Sequence, residues 1–432
     1  MVNWKDYYMS RLTTAAEAVQ SIKSGQKVVL THACGEAQAL SAAMAARAAD
    51  LENVEVIHMV AMGKALYCLP EMAGHFRHNS LFVGAASRSA VNEGRADFTP
   101  VFFSEIPRLF NDGYIPVDVL LAHVSPPDNN GFCSLGISVD YTLPAARCAR
   151  MVIAQVNRNM PRTHGNTFMH VSSFQHIVEC DEELIELPRP RITEVEERIG
   201  GNVAELVEDG STLQLGIGAL PDAVLLFLKN KHDLGIHSEM FSDGVIDLYE
   251  EGVITGREKT LHRDKMIATF LMGTRRLYDF VNDNPAVEMH SVDYVNDPFV
   301  ISRNSKMVSI NSALQVDLVG QVCADTIGTK QFSAVGGQVD FIRGASRSAG
   351  GKAIIAMPST AGGGKFSRIV DTLDQGASVT TSRFDVHYIV TEYGIANLRG
   401  KTIRQRAREL IKIAHPDFRD QLEYAARKRH LL

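Results

Sequence analysis

No run of this 432-residue chain reaches the ~18 to 20 consecutive apolar positions that a membrane-spanning helix needs, and residues 1–11 lack the apolar centre of a secretion signal. Both absences predict a soluble, cytoplasmic protein without a membrane partner. Cysteine is sparse: Cys34, Cys68, Cys133, Cys148, Cys180 and Cys323 are scattered and form no CxxC pair, which excludes a disulfide framework and a zinc ribbon and predicts free thiols. Nor is there an excess of basic charge, since 44 basic against 50 acidic side chains leave a net charge of -6. A broad nucleic-acid footprint is therefore not expected, although a local anion site is. The GxSxG elbow of serine hydrolases is missing. Gly362-Gly363-Gly364-Lys365 falls short of an ATP-binding loop, with Ser359 where a glycine is needed and Phe366 where Ser or Thr is needed, yet Lys365 can still touch a phosphate. His75 and His78 have no acidic or cysteine partner close in sequence, so no metal is expected.

What the chain does have is 45% hydrophobic residues, arranged as short apolar runs alternating with Ala/Leu-rich stretches from end to end. That is an α/β pattern. Strands are expected at 27–31, 54–60, 117–124, 151–156, 212–215, 266–271, 353–357 and 386–390, and the uninterrupted apolar run from Val117 implies a strand covered on both faces. Pro188 and Pro190 forbid a continuing helix. They divide the chain into an N-terminal α/β domain (1–187), a linker (188–192) and a C-terminal α/β domain (193–432). Thr14/Glu17 and Thr193/Glu196 have capping-box spacing, the second opening a helix to about Val207. The strand, turn and helix that follow Gly25 match those that follow Gly210, 185 residues later. Two related α/β domains with a cleft between them are the simplest architecture.

The most informative loop is Gly216-Ile217-Gly218-Ala219-Leu220-Pro221, placed between a strand and a helix. Its glycines let backbone approach a ligand, and its amides can face an anion or an oxyanion; a purely structural turn would look the same. As a dinucleotide fingerprint it fails at Pro221, where the third glycine belongs. Glu239 follows Gly218 by 21 residues, at the carboxyl end of the next strand, beside apolar Met240 and Phe241. A carboxylate there could hold a ribose, act as a nucleophile, or simply be a solvated or capping side chain. The basic run Lys401, Arg404, Arg406, Arg408 and Lys412 reads as a solvated helix face.

The glycine loop, followed by His237-Ser238-Glu239-Met240-Phe241-Ser242-Asp243-Gly244, resembles the acetyl-CoA hydrolase/transferase family. So do Val60-Ala61-Met62-Gly63-Lys64, Val124-Ser125-Pro126-Pro127-Asp128, Gly336-Gly337-Gln338-Val339-Asp340-Phe341 and Glu392-Tyr393-Gly394-Ile395-Ala396-Asn397. The resemblance implies tandem α/β domains of the CoA-transferase type with the active site in the cleft, and ping-pong exchange of CoA between a short-chain acyl-CoA (acetyl-, butyryl- or 4-hydroxybutyryl-CoA) and a free carboxylate. It implies that Glu239 becomes a glutamyl-CoA thioester, that Gly216, Ile217, Gly218, Ala219 and Leu220 lie against CoA, and that Asn311, Gly336 and Gly337 approach the thioester. It further implies no tightly bound cofactor, coenzyme A as co-substrate, a homodimer or higher homo-oligomer, and acyl selection near Thr31-His32-Ala33-Cys34-Gly35-Glu36. Three alternatives stay open: an acyl-CoA hydrolase using the same glutamate, an NAD-dependent dehydrogenase suggested by the Gly218 to Glu239 spacing, and a non-catalytic CoA-binding protein.

Overall fold

The computed structural model describes residues 3–432. The chain forms two compact units, Met1–Pro188 with Ile267–Val295, and Arg189–Met266 with Asn296–Leu432. The sequence reading placed all of 193–432 in one domain, whereas 267–295 packs with the first unit. Hydrogen bonds within that unit hold it there: Leu187 N–H donates to Gly273 O at 2.9 Å, Val292 N–H to Asp140 O at 3.2 Å, and the Tyr278 hydroxyl to Ile185 O at 2.7 Å.

Unit 1 is built on a seven-stranded sheet in the spatial order His176–Glu179, Met151–Val156, Val119–Val124, Lys27–Leu30, Val54–His58, Phe76–Ser80, Asp97–Phe98. Every pairing in it is parallel. All six residues of Val119–Val124 are buried, as an uninterrupted apolar run requires of a strand covered on both faces. Unit 2 has a six-stranded sheet ordered Gly235–Ile236, Thr212–Gln214, Met307–Ser312, Lys352–Ala356, Tyr388–Thr391, Gly394–Asn397. It is parallel except for the last strand, which returns as a hairpin.

The repeat seen in the sequence has a counterpart in each unit. Gly25 and Gly210 both turn the chain with φ near +70° (75° and 72°), leading into Lys27–Leu30 and Thr212–Gln214 and then into the helices Gln38–Ala45 and Ala219–Leu226. Both capping boxes form: Thr14 N–H reaches Glu17 Oε2 at 3.0 Å, and Thr193 N–H reaches Glu196 Oε2 at 3.1 Å. The 266–271 run is a strand only over Met266–Ala268, and it pairs in a small three-stranded sheet with Val287–Met289 and His164–Gly165. The six cysteines are unbridged and four are buried. Among the described residues, no helix is long and apolar enough to cross a membrane.

Candidate functional site

Parallel strands deliver their carboxyl ends to one edge of a sheet, where ligands gather in open α/β folds. In unit 2 the first three strands in spatial order bring Glu239, the glycine loop and Asn311 to that edge. Glu239 lies three residues beyond Gly235–Ile236, half-exposed between Ser238 and Met240, both buried. The Ser238 hydroxyl fixes this segment from below, donating to Leu215 O at 3.0 Å or to Met240 O at 2.5 Å and accepting from Leu215 N–H at 3.2 Å. The mount of Glu239 is thereby tied to the mount of the glycine loop.

The Glu239 carboxylate is held by residues far away in sequence. Asn296, fully buried, donates its amide Nδ2–H to Glu239 Oε2 at 2.9 Å. A hydrogen bond to an ionised acceptor is about twice as strong as a neutral one, so it orients the carboxylate as well as holding it. On another side lies Gly337: a Cβ built there would fall on the carboxylate of Glu239 and on the Asn296 amide. Gly337 has ordinary backbone angles, φ -93° and ψ 4°, so its glycine is required by this close approach and not by its conformation. It is also the N-cap of the helix Gln338–Arg347, whose positive dipole end favours a negative charge beside it. Gly336, just before, turns the chain with φ 53°.

The glycine loop has two differently constrained glycines. Gly218 has φ 111° and ψ -179°, a region that essentially only glycine occupies. Gly218→Ala should therefore cost about 1–3 kcal/mol of stability in denaturant titration, although nothing lies within 4 Å of the added Cβ. Gly216 is different: it is outside the positive-φ region, and its Cβ would meet only Pro221 Cγ at 3.8 Å. Neither a left-handed φ nor crowding demands glycine at 216. No side chain caps the helix Ala219–Leu226, and Pro221, its third residue, has no N–H. The amides of its first turn are thus not committed to a capping group.

Asn311 is placed one strand over, and its amide Nδ2–H donates to Gln214 Oε1 at 3.1 Å. Gln214, nearly fully buried, ends the strand that leads into the glycine loop. The structure therefore brings Glu239, Gly337 and Asn296 together, while Asn311 makes its hydrogen bond to the strand beneath the loop. Neither Asn296 nor Gln214 was anticipated from sequence. Asn296 lies 57 residues beyond Glu239, and its only local signal is the Asp297-Pro298 helix start that follows it.

From the same edge, the segment after Lys352–Ala356 carries the triple-glycine loop. Glu392 clamps its root, accepting from Ser359 N–H at 2.8 Å and from the Ser359 hydroxyl at 2.6 Å. Beside the loop is a cavity of about 760 Å³, lined by Ile327, Phe332, Phe366 and Phe418 together with Lys365 and Arg368. The Arg368 guanidinium donates to Ala313 O at 3.0 Å and is held below its usual pKa by burial. Asp371 and Asp374 line it as well, so the apolar wall carries two cations and two carboxylates.

In unit 1, the segment 31–37 is buried throughout. His32 Nδ1 lies 3.1 Å from Asp140 Oδ2, and Glu36 Oε2 accepts from Gly63 N–H at 3.1 Å. Burial pushes the Glu36 carboxyl up to about 6. A raised carboxyl pKa adds stability below the unfolded value near 4.5 and loses it as pH rises through 6. Glu36→Gln should therefore be more stable than wild type by about 2 kcal/mol at pH 8, with the gain gone below pH 4.5, as read by denaturant unfolding at several pH values.

Residues 1–187 match the acetyl-CoA hydrolase/transferase N-terminal domain and residues 273–426 the C-terminal domain of that family. The chain is 59% identical to a 4-hydroxybutyrate coenzyme A transferase of Clostridium kluyveri, over 99% of this chain and 100% of that one. It is 49% identical to a succinyl-CoA:cyclohexane-1-carboxylate CoA transferase of Geobacter metallireducens, over 99% of this chain and 97% of that one. A solved structure of a 4-hydroxybutyrate CoA-transferase from Porphyromonas gingivalis superposes with a TM-score of 0.87 at 45% identity, covering 99% of this chain and 100% of that one. With both domains matched and such identity along nearly its whole length, the chain belongs to the acetyl-CoA hydrolase/transferase family.

Proposed function

We propose that the protein is a CoA-transferase that moves coenzyme A between short-chain acyl-CoA and free carboxylate by a ping-pong route through Glu239. The observation that carries the reading is a half-exposed carboxylate at the strand-end edge of unit 2, oriented by Asn296 and lying in the space that a Gly337 side chain would fill. A carboxylate needs no activating base, since it is ionised at neutral pH. Its oxygen attacks the thioester carbonyl and expels CoA thiolate, giving a mixed anhydride. The thiolate then attacks the glutamyl carbonyl, forming glutamyl-CoA and releasing the acyl group as a carboxylate. A second acid runs the same steps in reverse, so thioester energy is conserved and ATP is not required.

Asn296 Nδ2–H, already bonded to Glu239 Oε2, would meet the oxyanion that forms on the glutamyl carbonyl, and the uncapped amides of the glycine loop are the donors assigned to the substrate's oxyanion. The distal, phosphate-bearing end of CoA is assigned to the cavity with Lys365 and Arg368, where Asp371 and Asp374 also stand, and binding there would supply free energy for orienting the reacting carbonyl. Two named relatives, the Clostridium and Porphyromonas proteins, support 4-hydroxybutyrate as a substrate.

The test is a mass-spectrometric panel: acetyl-CoA or butyryl-CoA with acetate, butyrate and 4-hydroxybutyrate as acceptors, followed by initial rates at several fixed acceptor concentrations. Transfer with parallel double-reciprocal lines is expected. Intersecting lines would replace the covalent route with direct transfer in a ternary complex. Steady CoA release without an acceptor would replace transfer with hydrolysis. If 4-hydroxybutyrate is the preferred acid, its hydroxyl has a polar partner that butyrate leaves unpaired, at about 1–3 kcal/mol, and butyrate should be roughly 10- to 100-fold poorer in kcat/KM.

A further inference from the structure

Fully buried histidines are unevenly shared between the units: His32, His58, His78 and His123 lie in unit 1, against His237 in unit 2. His78 and His123 are set so that only the neutral ring fits. His78 Nδ1–H donates to Val56 O at 3.0 Å, and its Nε2, buried, has no hydrogen-bond partner among the described residues. A proton added at Nε2 would find no acceptor there. His123 Nδ1–H donates to Glu36 O at 3.1 Å, while its Nε2 faces the side-chain amide nitrogens of Asn157 at 3.1 Å and Gln155 at 3.5 Å. A proton on that nitrogen would meet two donors. His58 bonds to the Tyr67 hydroxyl at 2.8 Å.

We propose that unit 1 contains an acid-triggered switch made of His58, His78 and His123, which opens this unit on protonation while unit 2 keeps its fold and the setting of Glu239. The groups facing the three rings do not offset the added charge. Around His58 stand Tyr67, the rings of His78 and His32, and the backbone of Thr31; His78 is a like charge once protonated, and the Thr31 backbone is the group that favours the charged ring. Tyr67 packs against His78 with ring centroids 5.3 Å apart, and Asp97, on the edge strand, is the one carboxylate that favours the charged ring. Around His123, Glu36 presents its backbone oxygen, and Glu182 is engaged by Gln155 Nε2–H at 2.5 Å.

Burial pushes His78 and His123 down to about 4, and His58 well below its ordinary value. In unit 2 burial also lowers half-buried His387 to about 4, so the contrast between the units is three such rings against one. A buried base with a lowered pKa stabilises the fold above its unfolded value near 6.5 and loses that contribution as pH falls through the folded value. The stability at stake is therefore lost between about pH 6.5 and 4. Glu36 acts in the opposite sense, gaining as it takes up its proton near 6, so it delays the opening and does not cause it.

Hydrogen exchange followed by mass spectrometry on the full chain at pH 7, 5.5, 4.5 and 4, corrected for intrinsic rates, tests this. Peptides spanning 54–58, 76–80 and 119–124 should lose protection at a higher pH than those spanning 212–214, 307–312 and 352–356. Activity should fall with the first set and return on neutralisation. His78→Gln and His123→Gln, which cannot take the proton, should move the opening of unit 1 to lower pH, with about one proton fewer taken up in each. Loss of protection in both units together, or in unit 2 first, would overturn the proposal even if neither variant folded. So would an unchanged opening pH in a variant that does fold.

Discussion

Glu239→Ala is expected to lower CoA transfer by roughly 10⁴- to 10⁶-fold, the scale on which removal of a covalent nucleophile acts. The effect should fall on kcat, with CoA affinity little changed, because the distal binding surface is untouched. Wild-type protein incubated with acyl-CoA and no acceptor should gain the mass of CoA less one water, peptide mapping should place it on residue 239, and borohydride should reduce the thioester and inactivate the enzyme. The variant should do none of these. Some stability should be lost as well, since the buried Asn296 amide forfeits its acceptor at about 1–3 kcal/mol unless water enters. Near-normal transfer by the variant, or CoA on another carboxylate, would refute the covalent route through Glu239 without touching the family membership.

Gly337→Ala should be the second most damaging single change, for the opposite reason: it adds an atom. The backbone at 337 accepts alanine, with φ -93° and ψ 4°, so the fold should survive. The new methyl group, however, claims the space of the Glu239 carboxylate and the Asn296 amide, so the stability lost should be limited to about 1–3 kcal/mol, that of their broken hydrogen bond. Those side chains can swing away, and in doing so they carry the nucleophile from its place by on the order of 1 Å, a displacement that costs about 100-fold in rate. Stopped-flow rates of thioester loading, beside a denaturation curve, separate the two effects. A variant that loads CoA at more than half the wild-type rate would show that the carboxylate's resting position does not matter to the chemistry.

The sequence conveyed a large part of this fold because apolar runs mark strands covered on both faces, and all eight expected strands have a counterpart in the structure. The strands it did not convey are the polar ones. Phe76–Ser80 carries His78, Asn79 and Ser80, all buried in the sheet, and Met307–Ser312 ends in Ser-Ile-Asn-Ser. Some of their polar atoms have tertiary partners, as with Asn79 Nδ2–H to Glu55 Oε1 at 2.9 Å, while His78 Nε2, Ser80 Oγ and Ser309 Oγ are buried with no hydrogen-bond partner among the described residues, and no local pattern announces either state. The candidate site divides in the same way. Gly216, Gly218 and Glu239 were visible because a strand, a turn and the next strand end place them within one unit of chain. Asn296 was invisible, because its meaning lies in a contact across 57 residues that no spacing rule encodes. Gly336 and Gly337 were legible through family resemblance alone, since the reason for the second glycine is a carboxylate that only folding brings there.

Gly216 has a consequence for the evolutionary descent of such chains. Its φ lies outside the left-handed region, and a methyl group there would touch nothing closer than Pro221 Cγ at 3.8 Å, so packing does not guard this position, and under the proposed function the close approach of CoA would. Gly218, whose angles only glycine adopts comfortably, is guarded by folding itself. A duplicated copy released from its chemical duty would therefore be free to drift at 216 long before 218. Alanine or serine at the first position beside an intact glycine at the second would be the genetic scar of a copy that kept its architecture after abandoning turnover.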